Sequence, residues 1–310
     1  MSFDEHPQLA DLHGIVALGA WLRGDLRQCM HSCQSAFDAE QRLGSGISLP
    51  ARMALIIATA YSPPGGDLAL APVSAQAPSR FLEIVTWSRA QGEPWWLVYS
   101  LVNGSLGMML AGDTERAVTL AGRALHIARD SGCLSSLAWA LFAMATAVEQ
   151  SHPDRCEALL EESVRAARAV ENRMVLGVSM SLLATVHRRL GHPLDALPLL
   201  LELIDQWDRV RDLPQLWHTI RESAICLGAL GANQTAVRLL ARVEQAELVM
   251  PLLPHDRAHV TEVTEQLREH LGAQEYAAAA IIGAQLTREE AVGLATRSLV
   301  EIRDMSSPAH

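Results

Sequence analysis

The sequence predicts an all-α protein, and more narrowly a right-handed α-solenoid of antiparallel helix hairpins with a C-terminal helical cap. Three observations lead to this fold class. Alternating runs of β-branched residues, which are typical of strands, are nearly absent, and Ala and Leu recur at helical spacing. Short turn signals also recur at intervals of about 40 residues, as expected for stacked helix pairs.

The repeat is defined by four turns and by small residues on either side of them. The turns read AGD at 111–113, SHPD at 151–154, LGHP at 190–193 and LGAN at 230–233. The spacing of about 40 residues is longer than the roughly 34 residues of a standard tetratricopeptide repeat, but the helix–turn–helix arrangement is the same, so the repeat is tetratricopeptide-like. Small side chains let the two helices of a hairpin approach closely. The small positions before the turns are Ser105, Ala145, Ala184 and Ala224, and those after the turns are Ala117, Ala158, Ala196 and Ala236.

We expect the helical-repeat array to cover residues 1–250, less regularly toward its start. Residues 61–78 interrupt it with four prolines and two glycines, which predicts a long surface loop. Residues 251–304 are expected to form capping helices that cover the apolar end of the array, with 305–310 as a tail. In this cap, Thr287 and Glu290 have the spacing of a capping box, which predicts a helix start.

Composition narrows the classes of protein. The chain has 310 residues, 49% of them hydrophobic, which is enough for a globular core, and no apolar stretch of membrane-spanning length. The N-terminus carries acidic residues and no basic segment before an apolar one, so we expect no signal peptide and a cytoplasmic location. The net charge of −10 disfavours direct binding to nucleic acid. All 25 basic residues are Arg, so chemistry that requires Lys is excluded.

Catalytic and cofactor motifs are missing from the sequence. It contains no G-x-S-x-G, no P-loop, no strand-flanked G-x-G-x-x-G and no H-E-x-x-H, so we assign no catalytic residue and no cofactor. Cys29, His31 and Cys33 form C-x-H-x-C, but on a helix His31 points away from the two thiols. We therefore predict free thiols for the five cysteines and no metal site.

Polar residues on the first helices of two successive hairpins form the first candidate site. His187 and Arg188 lie on one of these helices, and His218, Arg221 and Glu222 lie on the other. The first helices line the concave face of a hairpin solenoid, where such residues could bind a ligand or perform acid–base chemistry. The alternative is that they are ordinary solvated or packed polar residues.

Aromatic residues form the second candidate site. Trp95 and Trp96 follow Pro94, which suits a helix N-terminus, and Tyr99 lies one turn further on. Such side chains can form the floor of a groove for a peptide or a small molecule. Packing between hairpins is the alternative for them, and Trp139, Trp207 and Trp217 are expected in the core.

The last 70 residues carry a resemblance to a known family. The pattern runs through A-x-R-L-L at 236–240, a Pro-containing break, L-x-x-x-L-G-x-x-x-Y-x-x-A and then G-x-x-L-T-x-x-E-A-V-x-L-A. It resembles the C-terminal end of the tetratricopeptide-like sensor region in actinobacterial ATP-binding LuxR-type regulators and related adenylate-cyclase-associated proteins. The matching positions are Leu267, Leu271, Gly272, Tyr276, Gly283, Leu286, Thr287, Glu290, Ala291, Val292 and Ala295.

This resemblance implies a sensor or scaffold role in transcription regulation. The catalytic motifs of that family match no residue of this chain, so none is carried over. We therefore expect a non-catalytic module that binds a protein, a peptide or a small-molecule effector on its concave face. Two alternatives stay open: an enzyme or chaperone that uses His and Glu groups in a Trp-lined groove, and a structural piece that assembles into homo-oligomers.

Overall fold

The computed structural model describes residues 6–22, 25–60, 77–246, 252 and 254–306. Within these residues the chain forms fifteen α-helices and no β-strand, which confirms the prediction of an all-α protein. The loop predicted at 61–78 falls outside the described residues, except that a helix begins at Ala77. The predicted tail at 305–310 begins inside the last helix, and its final four residues also fall outside the described part.

The chain divides into two compact units, residues 1–147 and 148–310. Seven of the described helices belong to the first unit, and the last of them ends one residue beyond it. They are α1 (Leu9–Leu22), α2 (Leu26–Leu43), α3 (Leu49–Ala60), α4 (Ala77–Gln91), α5 (Pro94–Leu110), α6 (Thr114–Ser131) and α7 (Leu134–Val148). The other eight described helices belong to the second unit. They are α8 (Pro153–Ala169), α9 (Arg173–Arg189), α10 (Pro193–Val210), α11 (Leu213–Ala229), α12 (Asn233–Glu244), α13 (Pro254–Leu271), α14 (Ala273–Ala284) and α15 (Arg288–Ser306).

The first unit contains a buried ion pair beside its apolar core. Arg52 is 1% exposed, and its guanidinium contacts the carboxylates of Glu40 and Glu83. The ring of Phe37 lies 5.5 Å from the same guanidinium. Because a buried charge is costly unless it is paired, these partners explain how α3 can carry an arginine into the core.

The helix boundaries of the second unit follow local signals. Asn172 and Asp212 accept hydrogen bonds from the third backbone amide of α9 and α11, which satisfies an otherwise free donor. Pro193 occupies the first position of α10, where its missing N–H costs nothing. Gly231 ends the α11 turn with a φ of 87°, a left-handed conformation that glycine adopts without strain.

Small residues lie at the close contacts of the helix pairs, with one correction to the sequence analysis. Ala196 and Ala236, the fourth residues of α10 and α12, are fully buried or nearly so. Ala158, assigned to the same role in α8, is exposed. Because α8 begins at Pro153, its fourth residue is Cys156, and this buried thiol takes the small-residue position instead.

The last three helices share an apolar core with α9–α12. Leu267 of α13, Ala279 of α14 and Leu299 of α15 are buried in the same cluster as the side chains of those helices. Gly283 lies so close to α12 that an added Cβ would come within 2.2 Å of the Arg238 carbonyl oxygen. None of the described helices is both long enough and apolar enough to cross a membrane.

The capping box predicted at the start of α15 is confirmed. The Thr287 amide donates to the Glu290 carboxylate over 2.8 Å, and the Glu290 amide donates to the Thr287 hydroxyl over 3.2 Å. The two side chains therefore satisfy each other's free backbone donors, as the sequence spacing requires. These bonds place the start of α15 after the Gln285–Leu286 turn.

Candidate functional site

Helix α11 provides three of the predicted site residues. Five helices of the second unit pack around it, namely α9, α10, α12, α13 and α15. Its polar residues His218, Arg221 and Glu222 are spaced three and four apart, so they share one face of the helix. Arg221 and Glu222 are only 5% and 7% exposed. A buried polar face of this kind must find partners on neighbouring helices.

Glu222 finds its partners on α9. The Thr185 hydroxyl donates to its carboxylate over 2.9 Å, and the Arg188 guanidinium lies 3.6 Å from the same oxygen. Burial alone would raise the pKa of Glu222, but the positive charges around it outweigh that effect and lower the pKa below its ordinary value. Glu222 is therefore a carboxylate at neutral pH.

His218 and Arg221 are hydrogen-bonded to each other within α11. The Arg221 guanidinium lies 2.7 Å from Nδ1 of His218, and because arginine has donors only, Nδ1 accepts. Burial, together with the charge of Arg221, lowers the pKa of His218 to about 4, so the ring is neutral at pH 7. We refer to Thr185, Arg188, His218, Arg221 and Glu222 as the polar cluster.

Arg221 is the least satisfied member of the polar cluster. Its Nε is buried without a hydrogen-bond partner, and among the described residues no carboxylate lies within 4.0 Å of its guanidinium. Burial lowers the pKa of Arg221, although the charge of Glu222 opposes this effect. An arginine nevertheless stays protonated in a protein, so a positive charge is buried here against a neutral ring.

Helix α13 adds residues that the sequence analysis did not assign. Its His259 accepts a hydrogen bond of 2.7 Å at Nε2 from Arg188. Burial and the neighbouring charges of Arg188 and Arg189 lower the pKa of His259. The repeat of histidines at 255 and 259, one helical turn apart, is the sequence signal that could have indicated this face of α13.

Glu149, His255 and Asp256 form the one group of potential metal ligands found among the described residues, with their ligand atoms within 4.8 Å of one another. Arg189 already compensates the two carboxylates. Its guanidinium contacts Glu149, and it lies 2.6 Å from Asp256. Because the guanidinium sits where a cation would bind, we assign no metal to this group.

His187 does not join the polar cluster as the sequence analysis grouped it. Its Nε2 lies 3.2 Å from the Glu157 carboxylate of α8, and its Nδ1 is buried without a partner. On helix α9, Thr185 and Arg188 contact Glu222 instead. Of the two α9 residues that the sequence groups together, Arg188 reaches α11 and His187 does not, because the rotation of α9 decides which side chain faces α11.

The aromatic residues form a separate arrangement in the first unit. Trp95 and Trp96 lie in the first turn of α5 behind Pro94, as predicted. The Trp95 ring meets Trp96 edge-on at 4.8 Å and stacks on Tyr99 at 5.1 Å. Trp96 and Tyr99 also pack against a buried cluster from α3 and α4, so they have a structural role.

A cavity of about 540 Å³ adjoins these aromatic side chains. Its lining includes Glu93, Pro94, Trp95, Trp96, Cys133 and Ser136. Tyr99 is not among the lining residues, and its ring supports Trp95 from behind. The predicted aromatic site is thus a cavity wall formed by two of its three residues.

The two cysteines of the C-x-H-x-C motif are both fully buried, and His31 is exposed. The Cys33 thiol faces the Ala51 carbonyl oxygen at 3.4 Å, which is a structural contact between α2 and α3.

No protein-family model matches this chain, and no curated protein matches it in sequence. Its function is therefore inferred from the chemistry of the described residues.

Proposed function

We propose that this chain is a non-catalytic regulatory module, and that it binds an effector carrying an anionic group at the polar cluster of its second unit. The observation that carries this proposal is Arg221, which is buried, positively charged and without a carboxylate partner among the described residues. A carboxylate or a phosphate of the effector would supply the missing hydrogen-bond acceptors of Arg221, because a guanidinium offers two parallel donors to such an anion.

The energetics favour a binding role over a structural one. A buried donor without a partner costs about 1–3 kcal/mol, and more when it is charged. A well-packed apolar side chain at position 221 would stabilise the fold at least as well. A residue that weakens the isolated fold in this way is explained if a ligand completes its hydrogen bonds.

Acid–base catalysis by the same residues is less well supported than effector binding. A general base works best when its pKa lies near the working pH, and the pKa of His218 is lowered to about 4. The nitrogen that could accept a proton is also engaged by Arg221. Binding therefore fits the polar cluster better than proton transfer does.

The regulatory part of the proposal rests on the helix pairs and on the resemblance noted in the sequence. We propose that the hairpins form a right-handed, tetratricopeptide-like solenoid and that α9 and α11 contribute to its concave face. In the LuxR-type regulators that the C-terminal residues resemble, such an array senses an effector. We place the module in the cytoplasm, where that class of regulator acts.

The test is native mass spectrometry of the full chain purified from its own host, read before and after mild denaturation. We expect a bound acidic compound in the wild type, loss of that mass in Arg221→Met, and retention in the control Arg209→Met, whose side chain is 74% exposed. If no compound is retained, titration with succinate and inorganic phosphate follows. A retained mass that survives Arg221→Met, or no binding in any of these experiments, would overturn the proposal.

A protein partner is the second candidate, and one observation favours it. Leu12, Ile15 and Val16 of α1 are 42%, 59% and 48% exposed, and their spacing puts them on one face of the helix. Exposed apolar faces of this kind mark interaction surfaces. The same native spectra report this role, because a homo-oligomer or a co-purified protein appears directly as an added mass.

A further inference from the structure

Cys133 differs from the other cysteines of the chain. It is partly exposed, whereas Cys29, Cys33, Cys156 and Cys226 are buried. It lies immediately before helix α7, and its carbonyl oxygen accepts the first helical hydrogen bond from Leu137 over 2.9 Å. Cys133 is therefore the residue that caps α7, with its thiol close to the free amides of the first turn.

The start of α7 is a favourable environment for a thiolate. The hydroxyl and the amide of Ser136, followed by the amide of Ser135, lower the pKa of Cys133, and the charge of Glu93 opposes them weakly. Positive potential at a helix N-terminus acts in the same direction. The thiolate is the nucleophilic form of cysteine, so this placement favours reaction at Cys133 over the buried thiols.

The cavity that Cys133 lines provides a second observation. Ser136 lines this cavity of about 540 Å³, and it is 2% exposed. Its hydroxyl has no hydrogen-bond partner of ordinary distance and angle, although it lies close enough to the Cys133 sulfur to lower the pKa of that thiol. Once the sulfur has reacted, the hydroxyl can donate to an oxygen of the group that occupies the cavity. Trp95 and Trp96 line the same cavity, and the stacking of Trp95 on Tyr99 holds the indole in place.

From this geometry we propose that Cys133 is a covalent capture site for planar aromatic electrophiles of the α,β-unsaturated carbonyl class. The ring of the ligand packs against Trp95 and Trp96 while its carbonyl oxygen accepts a hydrogen bond from Ser136. This site lies in the first unit and does not depend on the effector proposed for the second unit.

The reaction is a conjugate addition that needs no oxidant or reductant. The Cys133 sulfur forms a bond to the β-carbon, and the carbon–carbon π bond of the ligand breaks. The electron pair moves to the carbonyl oxygen as an enolate, which the Ser136 hydroxyl stabilises. The α-carbon then takes a proton from water, so the adduct equals the sum of thiol and electrophile.

The test compares two maleimides that share a reactive group, N-phenylmaleimide and N-ethylmaleimide, on the full-length chain. Peptide mapping gives the rate at Cys133, and glutathione gives the intrinsic ratio of the two rates. We expect the ratio of phenyl to ethyl rates at Cys133 to exceed that of glutathione about tenfold, which corresponds to about 1.4 kcal/mol of ring binding.

Variants distinguish binding of the aromatic ring in the cavity from the general reactivity of a partly exposed thiol. Trp95→Leu should bring the ratio back toward the glutathione value, whereas Tyr276→Leu in the second unit should leave it unchanged. Ser136→Ala should shift the pH at which alkylation is half-maximal to a higher value. The proposal is overturned if the wild-type ratio equals that of glutathione. It is also overturned if Trp95→Leu keeps its helicity and leaves the ratio unchanged.

Discussion

Arg221 donates a hydrogen bond to Nδ1 of His218 over 2.7 Å, and this bond fixes where the imidazole proton resides. Because Nδ1 accepts, the neutral ring carries its proton on Nε2. Protonation of Nδ1 would remove the acceptor and set two positive charges against each other in a buried place. The bond from Arg221 therefore disfavours protonation of the His218 ring, and this links the folding stability of the chain to pH.

The first prediction concerns this pH dependence. The pKa of His218 is about 4 in the folded chain and about 6.5 in the unfolded chain, so between these values the unfolded state binds more protons. Folding stability therefore falls as the pH drops from about 6.5 toward 4, by up to about 3 kcal/mol from this residue. We expect His218→Gln to show a smaller loss of unfolding free energy than the wild type between pH 7 and pH 5, as measured by urea denaturation.

The matched control for that measurement is His126→Gln, because the side chain of His126 is 77% exposed. It should keep the wild-type dependence on pH. Equal slopes for His218→Gln and the wild type would show that the ring is not held neutral in the fold.

The second prediction compares the two charged neighbours on α11. Arg221→Met should change the unfolding free energy by less than about 1 kcal/mol, because Glu222 keeps Arg188 and Thr185 as partners. Glu222→Gln should cost about 3–5 kcal/mol, since it leaves the buried guanidinium of Arg188 without its Glu222 carboxylate. Chemical denaturation of both variants, with Glu202→Gln as a surface control, tests the asymmetry. Equal costs at positions 221 and 222 would mean that Arg221 is a structural partner.

The third prediction tests the docking of α14 on α12. In Gly283→Ala, the new methyl group would meet the Arg238 backbone at 2.2–2.7 Å, and backbone atoms cannot easily move aside. We expect a loss of about 1–3 kcal/mol, as is usual for overpacking. Gly293→Ala is the control, because its nearest contact at 3.0 Å is the flexible end of the Arg297 side chain. If both variants unfold at the same denaturant concentration, α14 does not pack as described.

Features encoded locally were accessible from the sequence. The capping box depends on Thr287 and Glu290, three residues apart, and the grouping of His218 with Glu222 depends on one helical turn. The start of α5 at Pro94 follows from the missing N–H of proline. Each of these is fixed by backbone geometry within a few residues, so no tertiary information was needed.

Contacts between distant residues could not be derived in the same way. The bond from Thr185 to Glu222 joins positions 37 apart, and the bond from Arg188 to His259 joins positions 71 apart. They depend on how α9 is rotated and where α13 docks, which the apolar packing of the second unit decides. The error at Ala158 has a related cause, because the small position is counted from the helix start at Pro153.

The last prediction concerns the start of α15, where two side chains cap one helix. Thr287→Ala removes the acceptor of the Glu290 amide, and we expect a loss of about 1 kcal/mol in unfolding free energy. The hydrogen bonds from the amide and the hydroxyl of Thr287 lower the pKa of Glu290, so the carboxylate should cap the helix above its lowered pKa and lose this role in acid.

Thr261→Ala is the control, because the Thr261 hydroxyl donates only to a carbonyl within α13. Denaturation at pH 7 and pH 3 should show a larger cost for Thr287→Ala at pH 7, where both halves of the box are intact. A cost equal to that of Thr261→Ala at both pH values would mean that packing against α10–α12, and not the capping box, determines where α15 begins.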